Sequence, residues 1–573
     1  MIYPREEHYK FLEEEIKSQT EDFKQKLETN ARYLLEQRGE VFVAQYIKFQ
    51  EGELILKFST KRGLPRKGEY LYCFTLPRSL QNFRDWNNNT YGDLIKNKGY
   101  QTEAVLIWQS KSVDDNDFCI AGFRGIDVEF AEHIKNAEGA LVVLGPHVPP
   151  YDYIYNLQKI LKDTTNEKVS DILDRDYVVG DSTIIPVNSN NSTDFFIGQL
   201  AISDRLIIQG PPGTGKTYRI AQLCKSLIDN GKSVLVTALT NRALIEVARK
   251  DALAEYCKEG RVHKTKLSVD EFKEAPGILP IKEIQPIVGH LVLSTFYITS
   301  SLAASNTCIE SFDVVIMDEA SQGLLAMFAA ASKLGKKIIM VGDINQLPPV
   351  VSINEDRVFK RSYYPFIDGL KLLQSSSYAP VYTLVDTYRL PSRAAEYSGI
   401  FYNGMLSSAN TEKLINFPMP LSASGGPMLY LTSLPIGIKN PSEAVNVISN
   451  ILEAIYSTPV KPEIAVLSFY VDTVKYLQKE LAYRFGNKDN LLIETVSRIQ
   501  GLTSDIVIYL LPNTGYNHSI ERRLFNVATS RAKHHTIIIS DPLLLQYSFM
   551  DPNVREFLNK LEVEGSVHRL NIR

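Results

Sequence analysis

The sequence predicts an α/β protein in which two doubly wound parallel-sheet domains follow each other along the chain, behind an N-terminal helical segment and a small β-rich domain. Three observations predict this class. Apolar runs of strand length alternate with helical stretches from Leu206 onward, a glycine-rich loop directly follows the first run, and residues 41–130 contain short β-rich runs. The 573 residues leave room for three or four domains of about 100–200 residues each.

Composition and charge exclude several other classes. Hydrophobic residues make up 44% of the chain and charged residues 23%, which is close to globular averages and excludes a disordered or fibrous protein. With 63 Lys+Arg against 66 Asp+Glu the net charge is -3, so an overall basic surface for nucleic acid is also excluded. Any contact with nucleic acid must therefore be local.

The predicted compartment is reducing and intracellular. The five cysteines include no pair at zinc-ligand spacing, so we expect neither structural disulfides nor structural zinc. Residues 1–7 are charged and lack the apolar core of a signal peptide. The uncharged stretch between Lys413 and Lys439 is long enough to span a membrane, but its prolines and the Gly425-Gly426 pair predict a loop-rich segment. We expect a cytoplasmic protein without a membrane partner.

The first two predicted regions are a helical stalk at 1–40 and a β-rich accessory domain with a linker at 41–190. Residues 5–38 have apolar side chains at helical spacing, which predicts one long amphipathic helix that ends near Gly39 and packs on the rest of the molecule. Short apolar runs separated by turn residues then predict a small barrel or sandwich. These runs are Val41–Ala44, Leu54–Leu56, Tyr70–Phe74 and Ala104–Trp108.

The two parallel-sheet domains are predicted at 191–352 and 353–573. Continuous apolar runs are typical of strands buried on both faces, as a parallel sheet requires. In the first domain the runs are Leu206–Ile208, Ser233–Val236, Leu291–Leu293, Val314–Met317 and Lys337–Val341, and in the second they are Glu463–Leu467, Ile506–Leu511 and Thr536–Ile539.

A phosphate-binding loop follows the first of these strands and precedes the helical stretch Arg219–Ile228. Glycines in such a loop let backbone N–H groups converge on a phosphate, and the helix N-terminus adds its dipole. Lys216 then bridges the β- and γ-phosphates, and the Thr217 hydroxyl is a ligand for Mg²⁺. The loop reads Gly210-Pro211-Pro212-Gly213-Thr214-Gly215-Lys216-Thr217.

Four charged groups and one amide complete the predicted nucleotide site. Asp318 and Glu319 end the strand Val314–Met317, where Asp318 would lie beside the metal and Glu319 would orient and deprotonate water. Gln346 follows the next strand, where its amide can sense the γ-phosphate. Arg389 and Arg531 belong to the second domain and can neutralise charge on the transferring phosphate. The sequence therefore predicts nucleotide hydrolysis.

The order of these motifs resembles the superfamily 1 helicases, most closely the Upf1-like branch, over residues 200–545. The motifs are GPPGTGKT, VTALTNRA, LSTF, VIMDEASQ, VGDINQLPPV, TYRL, TVSRIQG and NVATSRAK. The resemblance implies two RecA-like domains that use ATP and Mg²⁺, with arginine fingers at Arg389 and Arg531 and an adenine stacked on Tyr388. A core tyrosine is the alternative for Tyr388. The region before the motor is similar to the accessory domain of this branch, and an unrelated recognition module is the alternative.

The resemblance also places a single strand of DNA or RNA on polar segments at strand ends. Hydroxyl and amide groups there suit phosphate contacts that hold a strand without reading its sequence. The residues are Thr240, Asn241, Arg242, Thr295, Thr495, Arg498 and Gln500. Helix capping by the threonines and a solvated Arg242 are the alternatives. Trp86 and Trp108 either stack on bases or pack in the core.

Two positions depart from the family pattern. The acidic residue that contacts the ribose, three positions after Gln500, is Thr503 in this chain. The glutamine that reads adenine is not placed either, because Gln199 lies only eleven positions before Gly210. The expectation that the nucleotide is ATP therefore rests on the family resemblance, and not on a ribose contact or an adenine contact of this chain.

The predicted function is an ATP-dependent helicase or translocase that binds single-stranded DNA or RNA across two domains and moves 5′ to 3′, as Upf1-like relatives do. One alternative is an ATPase that remodels complexes without separating strands. Another is a nucleotide-gated switch or scaffold for a protein partner, which the N-terminal region could bind. The presence of Gln346 and of the polymer-facing motifs favours the motor.

Overall fold

The fold consists of a helical stalk, a barrel and two parallel sheets, with helices and strands numbered here in chain order. The predicted α/β class with two tandem RecA-like domains, a stalk and a small barrel is therefore confirmed. The computed structural model describes residues 1–59, 64–65, 70–111, 117–135, 139–149, 151–178, 183–188, 192–305, 311–486, 488–499, 501–516 and 518–570.

The N-terminal stalk is interrupted near its end. It consists of α1 (Arg5–Glu28), the short α2 (Ala31–Tyr33) and a π-helical turn at Leu34–Arg38. The prediction of one helix over 5–38 is wrong at residues 29–30, because the Asn30 side chain accepts a hydrogen bond from the backbone N–H of Tyr33 at 3.0 Å and starts a new turn. The last turn ends at Gly39, which has a φ of 60°.

The accessory domain is a closed antiparallel barrel with the strand order β1-β2-β5-β4-β3-β6. Alternate side chains of its strands point into a core of leucine and phenylalanine residues. The elements are β1 (Phe42–Gln50), β2 (Glu53–Ser59), β3 (Tyr70–Thr75), α3 (Tyr91–Lys96), β4 (Gln101–Lys111), β5 (Phe118–Arg124), α4 (Val128–Ile134) and β6 (Leu141–Gly145).

Both tryptophans take part in the packing of the accessory domain. Trp86 is fully buried, and its indole N–H donates to the carbonyl of Leu80 at 3.0 Å. Trp108 is partly buried against Gly122 of the neighbouring strand and donates to the Glu53 carboxylate at 2.8 Å. Trp86 therefore packs in the core of the accessory domain and is not available to stack on bases.

The first parallel sheet has nine strands in the order β11-β10-β12-β9-β13-β14-β8-β15-β7. Its strands are β7 (Ile184–Val187), β8 (Arg205–Gln209), β9 (Val234–Ala238), β10 (Val262–Thr265), β11 (Leu279–Ile281), β12 (Leu291–Thr295), β13 (Phe312–Met317), β14 (Gly335–Gly342) and β15 (Val381–Leu384). The helices of this part are α5 (Tyr151–Lys162), α6 (Glu167–Leu173), α7 (Ser192–Ile202), α8 (Lys216–Asp229), α9 (Asn241–Ala248), α10 (Ala254–Lys258), α11 (Val269–Glu274), α12 (Phe296–Ala304), α13 (Leu325–Leu334), α14 (Glu355–Lys360), α15 (Tyr364–Ile367) and α16 (Gly369–Ser375).

This sheet extends beyond the predicted limits of 191 and 352 on both sides. The strand β7 comes from the predicted linker and pairs with β15, which pairs with β8. The sequence does not reveal this, because the pairing joins segments that are nearly 200 residues apart. The segment up to Leu384 therefore contributes to the first sheet.

The second parallel sheet has six strands in the order β20-β19-β21-β22-β18-β23, and β16 and β17 form a separate two-stranded pair. The strands are β16 (Asp386–Thr387), β17 (Ser407–Ser408), β18 (Gly426–Thr432), β19 (Ile464–Ser468), β20 (Leu491–Thr495), β21 (Ser504–Leu510), β22 (Ala532–Ser540) and β23 (Val567–Leu570). The helices are α17 (Ser392–Gly399), α18 (Ser442–Tyr456), α19 (Val471–Phe485), α20 (Arg522–Thr529) and α21 (Pro552–Val563).

The stretch between Lys413 and Lys439, predicted to be loop-rich, contains the buried strand β18. Its apolar run Met428–Leu431 pairs with β22 on one side and with β23 on the other. Pro427 is tolerated because it stands near the start of the strand. Within the described part of the chain, no helix is both long and apolar enough to cross a membrane.

The stalk packs on the first parallel-sheet domain, as predicted. Phe11 and Leu12 of α1 belong to the same apolar core as helices α5, α6, α12 and α13. The His8 ring stacks on Phe366 with 4.4 Å between ring centroids. The buried Glu15 carboxylate accepts hydrogen bonds from the backbone N–H groups of Ser352, at 2.8 Å, and Ile353, at 3.1 Å. The stalk therefore holds the chain just beyond the predicted sensor Gln346.

We expect Glu15→Ala to lower the free energy of unfolding by about 1 to 3 kcal/mol, because the substitution leaves backbone donors without their acceptor. Urea unfolding of the full chain measures this loss. Glu13→Ala is the matched control, since Glu13 is exposed on the same helix. Equal unfolding midpoints for the two variants would contradict a docking role for Glu15.

Candidate functional site

The predicted phosphate loop lies between β8 and α8, at the carboxyl edge of the first sheet. Gly215 stands before the first residue of α8 with a φ of 77°, a conformation that favours glycine. The Lys216 ammonium donates to the carbonyl of Gly210 at 2.7 Å, so the side chain folds back over the loop. The helix N-terminus and this cation therefore lie at the same loop, which is the arrangement that suits a phosphate.

The carboxylates Asp318 and Glu319 follow β13, two strands from the phosphate loop. Asp318 is buried, and its Oδ1 accepts the backbone N–H of Glu319 at 2.8 Å. Burial, and next the charge of Glu319, raise the pKa of the Asp318 carboxyl above its ordinary value. Glu319 has a φ of 49°, so a non-glycine residue holds a left-handed conformation at this point.

Asp318 and Thr217 fit a magnesium site by their chemistry. A carboxylate and a hydroxyl are the hard oxygen ligands that Mg²⁺ prefers. A divalent cation beside Asp318 would also favour the ionised carboxylate, which burial opposes. When bound, Mg²⁺ would neutralise charge on the β- and γ-phosphates.

Gln346 and Arg531 meet across the boundary between the two parallel-sheet domains. Arg531 donates from Nη2 to Oε1 of Gln346 at 3.2 Å, and both side chains are buried. Burial lowers the pKa of Arg531, although the charges of Glu319 and Asp343 oppose this shift. The Nε of Arg531 is buried without a partner among the described residues.

Arg389 and Tyr388 approach the phosphate loop from the segment that follows β15. The backbone N–H of Tyr388 donates to the carbonyl of Gly213 at 2.9 Å. The Arg389 guanidinium donates to the carbonyl of Ser530 at 3.3 Å, beside Arg531. Burial, and next the charge of Arg531, lower the pKa of Arg389. Tyr388 is 52% exposed, so the alternative of a core tyrosine does not hold.

These groups line one cavity of about 410 Å³ between the two domains. The predicted residues that line it are Pro212, Gly213, Thr214, Gly215, Lys216, Thr217, Glu319, Gln346, Tyr388, Arg389 and Arg531. Five cationic side chains and two carboxylates face the cavity, which suits a polyanionic ligand. Asp318 lies buried next to Glu319. The structure thus brings the predicted phosphate residues of both domains together.

Six further residues line this cavity outside the predicted site residues, and they are Tyr218, Lys250, Glu412, Gly501, Thr503 and Lys533. Lys250 and Lys533 add two of the five cations, and Glu412 adds a carboxylate. Thr503 stands at the position where the family has an acidic residue, and it lines the cavity as well. No local motif marks Lys250 or Glu412, because each reaches the cleft only through the packing of distant segments.

The predicted nucleic-acid residues of the first domain lie at neighbouring strand ends. Thr240 follows β9 and caps α9, accepting the backbone N–H of Ala243 at 3.2 Å. The Asn241 side chain accepts from the buried Lys264 ammonium at 3.0 Å. Arg242 is exposed and forms an ion pair with Glu246 at 3.0 Å. Thr240 thus caps a helix, as the alternative for the threonines predicts. This capping role does not prevent the exposed residues beside it from contacting a nucleic acid.

Two of the remaining nucleic-acid candidates are buried. Thr295 ends β12 and is buried beside β9. Thr495 ends β20 in the second sheet, is also buried, and its backbone N–H donates to Glu494 at 2.8 Å. Arg498 is half-exposed and lies 3.8 Å from the Glu494 carboxylate. Gln500 lies outside the described residues.

A second cavity, of about 500 Å³, separates the barrel from the first parallel-sheet domain. Asn241 and Arg242 lie on its rim, and five carboxylates and three cations line it. Arg124 of the barrel forms ion pairs with Glu53 and with Glu274 of α11, both within 3.0 Å. This bridge fixes the barrel beside the strand ends that carry the nucleic-acid candidates.

The phosphate loop, the paired carboxylates and a cleft shared by two parallel sheets define a P-loop nucleotide-binding protein of the two-domain, RecA-like kind. Two family models, each described as an AAA domain, match residues 197–352 and 370–543. Together they cover more than half of the chain. The chain belongs to the superfamily 1 helicases, in their Upf1-like branch.

Individual relatives are distant. The chain is 24% identical over 465 residues to the DNA replication ATP-dependent helicase/nuclease DNA2 of Saccharomyces cerevisiae, over 72% of this chain and 29% of that protein. It is 26% identical over 436 residues to a Regulator of nonsense transcripts 1 homolog of Drosophila melanogaster, over 64% of this chain and 35% of that protein. The solved arterivirus nonstructural protein 10 (helicase) matches 88% of this chain and 77% of its own at 13% identity, with a TM-score of 0.37. The chain spans about a third of the length of the two curated relatives.

We expect Gly213→Ala to lower the rate of ATP hydrolysis by about a hundredfold, because it forces the two sides of the cleft apart. A Cβ atom on Gly213 would lie 2.4 Å from Cβ of Arg389 and 2.5 Å from Oγ1 of Thr387, at a φ of 75°. Steady-state hydrolysis with Mg²⁺ measures the effect. Gly198→Ala is the control, since a Cβ there has no neighbour within 4 Å. Hydrolysis at the wild-type rate in Gly213→Ala would show that this close approach is not needed.

Proposed function

We propose that the chain is an ATP- and Mg²⁺-dependent motor that binds single-stranded DNA or RNA across its two parallel-sheet domains and moves 5′ to 3′. Hydrolysis of ATP would close and open the cleft between the domains, and the strand ends on either side would hold and release the polymer in turn. Separation of strands is the proposed outcome of this movement.

The observation that carries the proposal is the divided nucleotide cleft. The phosphate loop, Glu319 and Gln346 come from the first domain, whereas Arg389 and Arg531 come from the second. A nucleotide bound between them would be held by both domains, so its hydrolysis would change how strongly the domains attract each other. The hydrogen bond between Gln346 and Arg531 supports this coupling.

Within this cleft each residue has a proposed part in the chemistry. Lys216 would contact the β- and γ-phosphates, and Thr217 with Asp318 would hold Mg²⁺. Glu319 would orient the attacking water and accept its proton, and the guanidinium groups of Arg389 and Arg531 would stabilise charge on the transferring phosphate.

In the first domain, the proposed polymer surface lies at the same carboxyl edge of the sheet as the phosphate loop. Thr240, Asn241 and Arg242 follow β9, which lies next to β13 and its terminal carboxylates. The buried Lys264 ammonium fixes the Asn241 amide, so this contact is preorganised. Movement of the phosphate-binding edge would therefore move the polymer contacts with it.

We expect the wild-type chain to hydrolyse ATP faster when single-stranded RNA or DNA is present, and Lys216→Ala to lower the rate by about a hundredfold or more. Lys225→Ala is the matched control, because Lys225 lies on the same helix with its side chain exposed. Steady-state hydrolysis with poly(U) RNA, with poly(dT) DNA and without polymer measures all three rates.

The outcomes of this experiment separate the candidate functions. Stimulation by one polymer identifies the substrate, and displacement of a strand from duplexes with a 5′ or a 3′ tail then tests unwinding and direction. Stimulation without strand displacement would indicate the remodelling alternative. Hydrolysis that neither polymer changes would contradict the motor and favour the nucleotide-gated switch.

We expect Arg242→Ala to weaken binding of single strands of any sequence and to reduce the slope of log affinity against log salt by about 1, because one phosphate contact is lost. Fluorescence anisotropy of a labelled strand at several salt concentrations measures both effects. Lys258→Ala removes an exposed, ion-paired cation from α10 of the same domain and is the control. An equal slope in Arg242→Ala and wild type would exclude Arg242 from the polymer surface.

A further inference from the structure

A buried polar network joins the two parallel-sheet domains behind the nucleotide cleft. The first domain contributes Asp343 and Gln346 from the loop after β14, which is defined here as the sensor loop, residues 343–347. The second domain contributes Tyr402, in the turn that follows α17, and Asn526 of α20. Each of these four residues is at most 5% exposed.

The Asp343 carboxylate is the centre of this network. Its Oδ2 accepts the Tyr402 hydroxyl of the opposite domain and the side-chain amide of Gln346, each at 2.8 Å. Its Oδ1 accepts the amide of Gln209 at 2.6 Å and the backbone N–H of Asn345 at 3.1 Å. A buried carboxylate needs such partners, and removing one of them is costly. The orientation of Gln346 therefore depends on Asp343, and Asp343 depends in part on Tyr402.

The Tyr402 hydroxyl is itself fixed from the second domain. It accepts a hydrogen bond from the Asn526 amide at 2.9 Å while it donates to Asp343. Burial, and next the charge of Asp343, raise the pKa of Tyr402 well above its ordinary value. The hydroxyl thus stays protonated and can make both hydrogen bonds.

The sensor loop docks on the second domain at three more points. The Asn345 side chain donates to the carbonyl of Phe401 at 2.8 Å, and Asn526 donates to the carbonyl of Asn345 at 2.9 Å. Leu347 packs against the apolar core of the second domain. The loop belongs to the first domain by sequence, and contacts with both domains hold it, since Gln209 and Gln322 of the first domain also donate hydrogen bonds to it.

We propose that Tyr402 is a positioning residue: its hydroxyl locks Asp343, and through Asp343 the Gln346 side chain, only while the second domain is docked on the sensor loop. This inference rests on the proposed function and deepens it. Separation of the domains would remove the Tyr402 donor, release Gln346 and so prevent hydrolysis while the cleft is open. The hydrolytic step would then be conditional on domain closure.

The test is Tyr402→Phe, which removes one oxygen atom and keeps the buried ring. We expect kcat for ATP hydrolysis to fall by about tenfold, with KM changed by less than about twofold, because the hydroxyl acts on the sensor and not on nucleotide binding. Tyr397→Phe is the matched control. Tyr397 is equally buried and donates to Glu564 at 2.8 Å, but that hydrogen bond lies within the second domain. A kcat in Tyr402→Phe equal to that of the control would overturn the inference.

A double-mutant cycle distinguishes positioning from general destabilisation. If Tyr402 acts through Gln346, then Tyr402→Phe causes no further loss of kcat in a Gln346→Ala background. Losses that multiply would overturn the inference. Asn526→Leu removes the donor on the other side of the hydroxyl and is expected to show the same loss of kcat and the same lack of additivity.

Hydrogen exchange gives a readout that does not require activity. The backbone N–H of Asn345 is held by Asp343, so we expect exchange in the sensor loop of the full chain to accelerate by at least about tenfold in Tyr402→Phe and to stay unchanged in Tyr397→Phe. If the wild-type chain hydrolyses no ATP, the proposed function fails, and exchange alone still shows whether Tyr402 locks the loop. Unchanged exchange in Tyr402→Phe would overturn the lock itself.

Discussion

The division of the nucleotide cleft between two parallel-sheet domains is the constraint on which the rest of the structure depends. The first sheet presents the phosphate loop and the adjacent carboxylates at its carboxyl edge. The second domain presents two buried or half-buried guanidinium groups, Arg389 after β16 and Arg531 directly before β22. Neither domain holds the complete set of groups. The proposed chemistry would therefore depend on docking of the two domains, and the contact between Gln346 and Arg531 lies where the two domains meet.

The positive charge that could attract a polyanion is concentrated at one place in this protein. The net charge of -3 gives no general attraction for polyanions, yet five cations converge on one cavity of about 410 Å³. Burial of Arg531 strengthens its interactions, because the surrounding dielectric is low. The cavity beside the barrel has the opposite balance, with more carboxylates than cations. A polymer held by exposed polar groups at strand ends can be released more easily than one held by a uniformly basic surface.

The accessory parts anchor the region around the sensor loop. Glu15 of the stalk binds the backbone at residues 352 and 353, a few positions after the loop, while Tyr402 and Asn526 hold the loop itself from the second domain. The barrel is tied to α11 through Arg124 and Glu274. Movements of the stalk and of the second domain would thus both change the position of Gln346. The physical link consists of hydrogen bonds to buried groups, which are costly to leave unsatisfied.

The sequence alone predicted the class, five of the nine strands of the first sheet, three of the six strands of the second, and the residues proposed for the phosphate site. It could do so because strands buried on both faces must be continuously apolar, and because phosphate chemistry needs particular residues directly after such strands. Pairing between distant segments decided the rest. The first sheet includes β7 and β15, which lie beyond its predicted limits, and the second includes β18, with Pro427 near its start. Glu412 and Lys250 line the cleft although no sequence motif marks them. The lock between Asp343 and Tyr402 joins residues 59 positions apart on opposite domains, so only tertiary packing creates it.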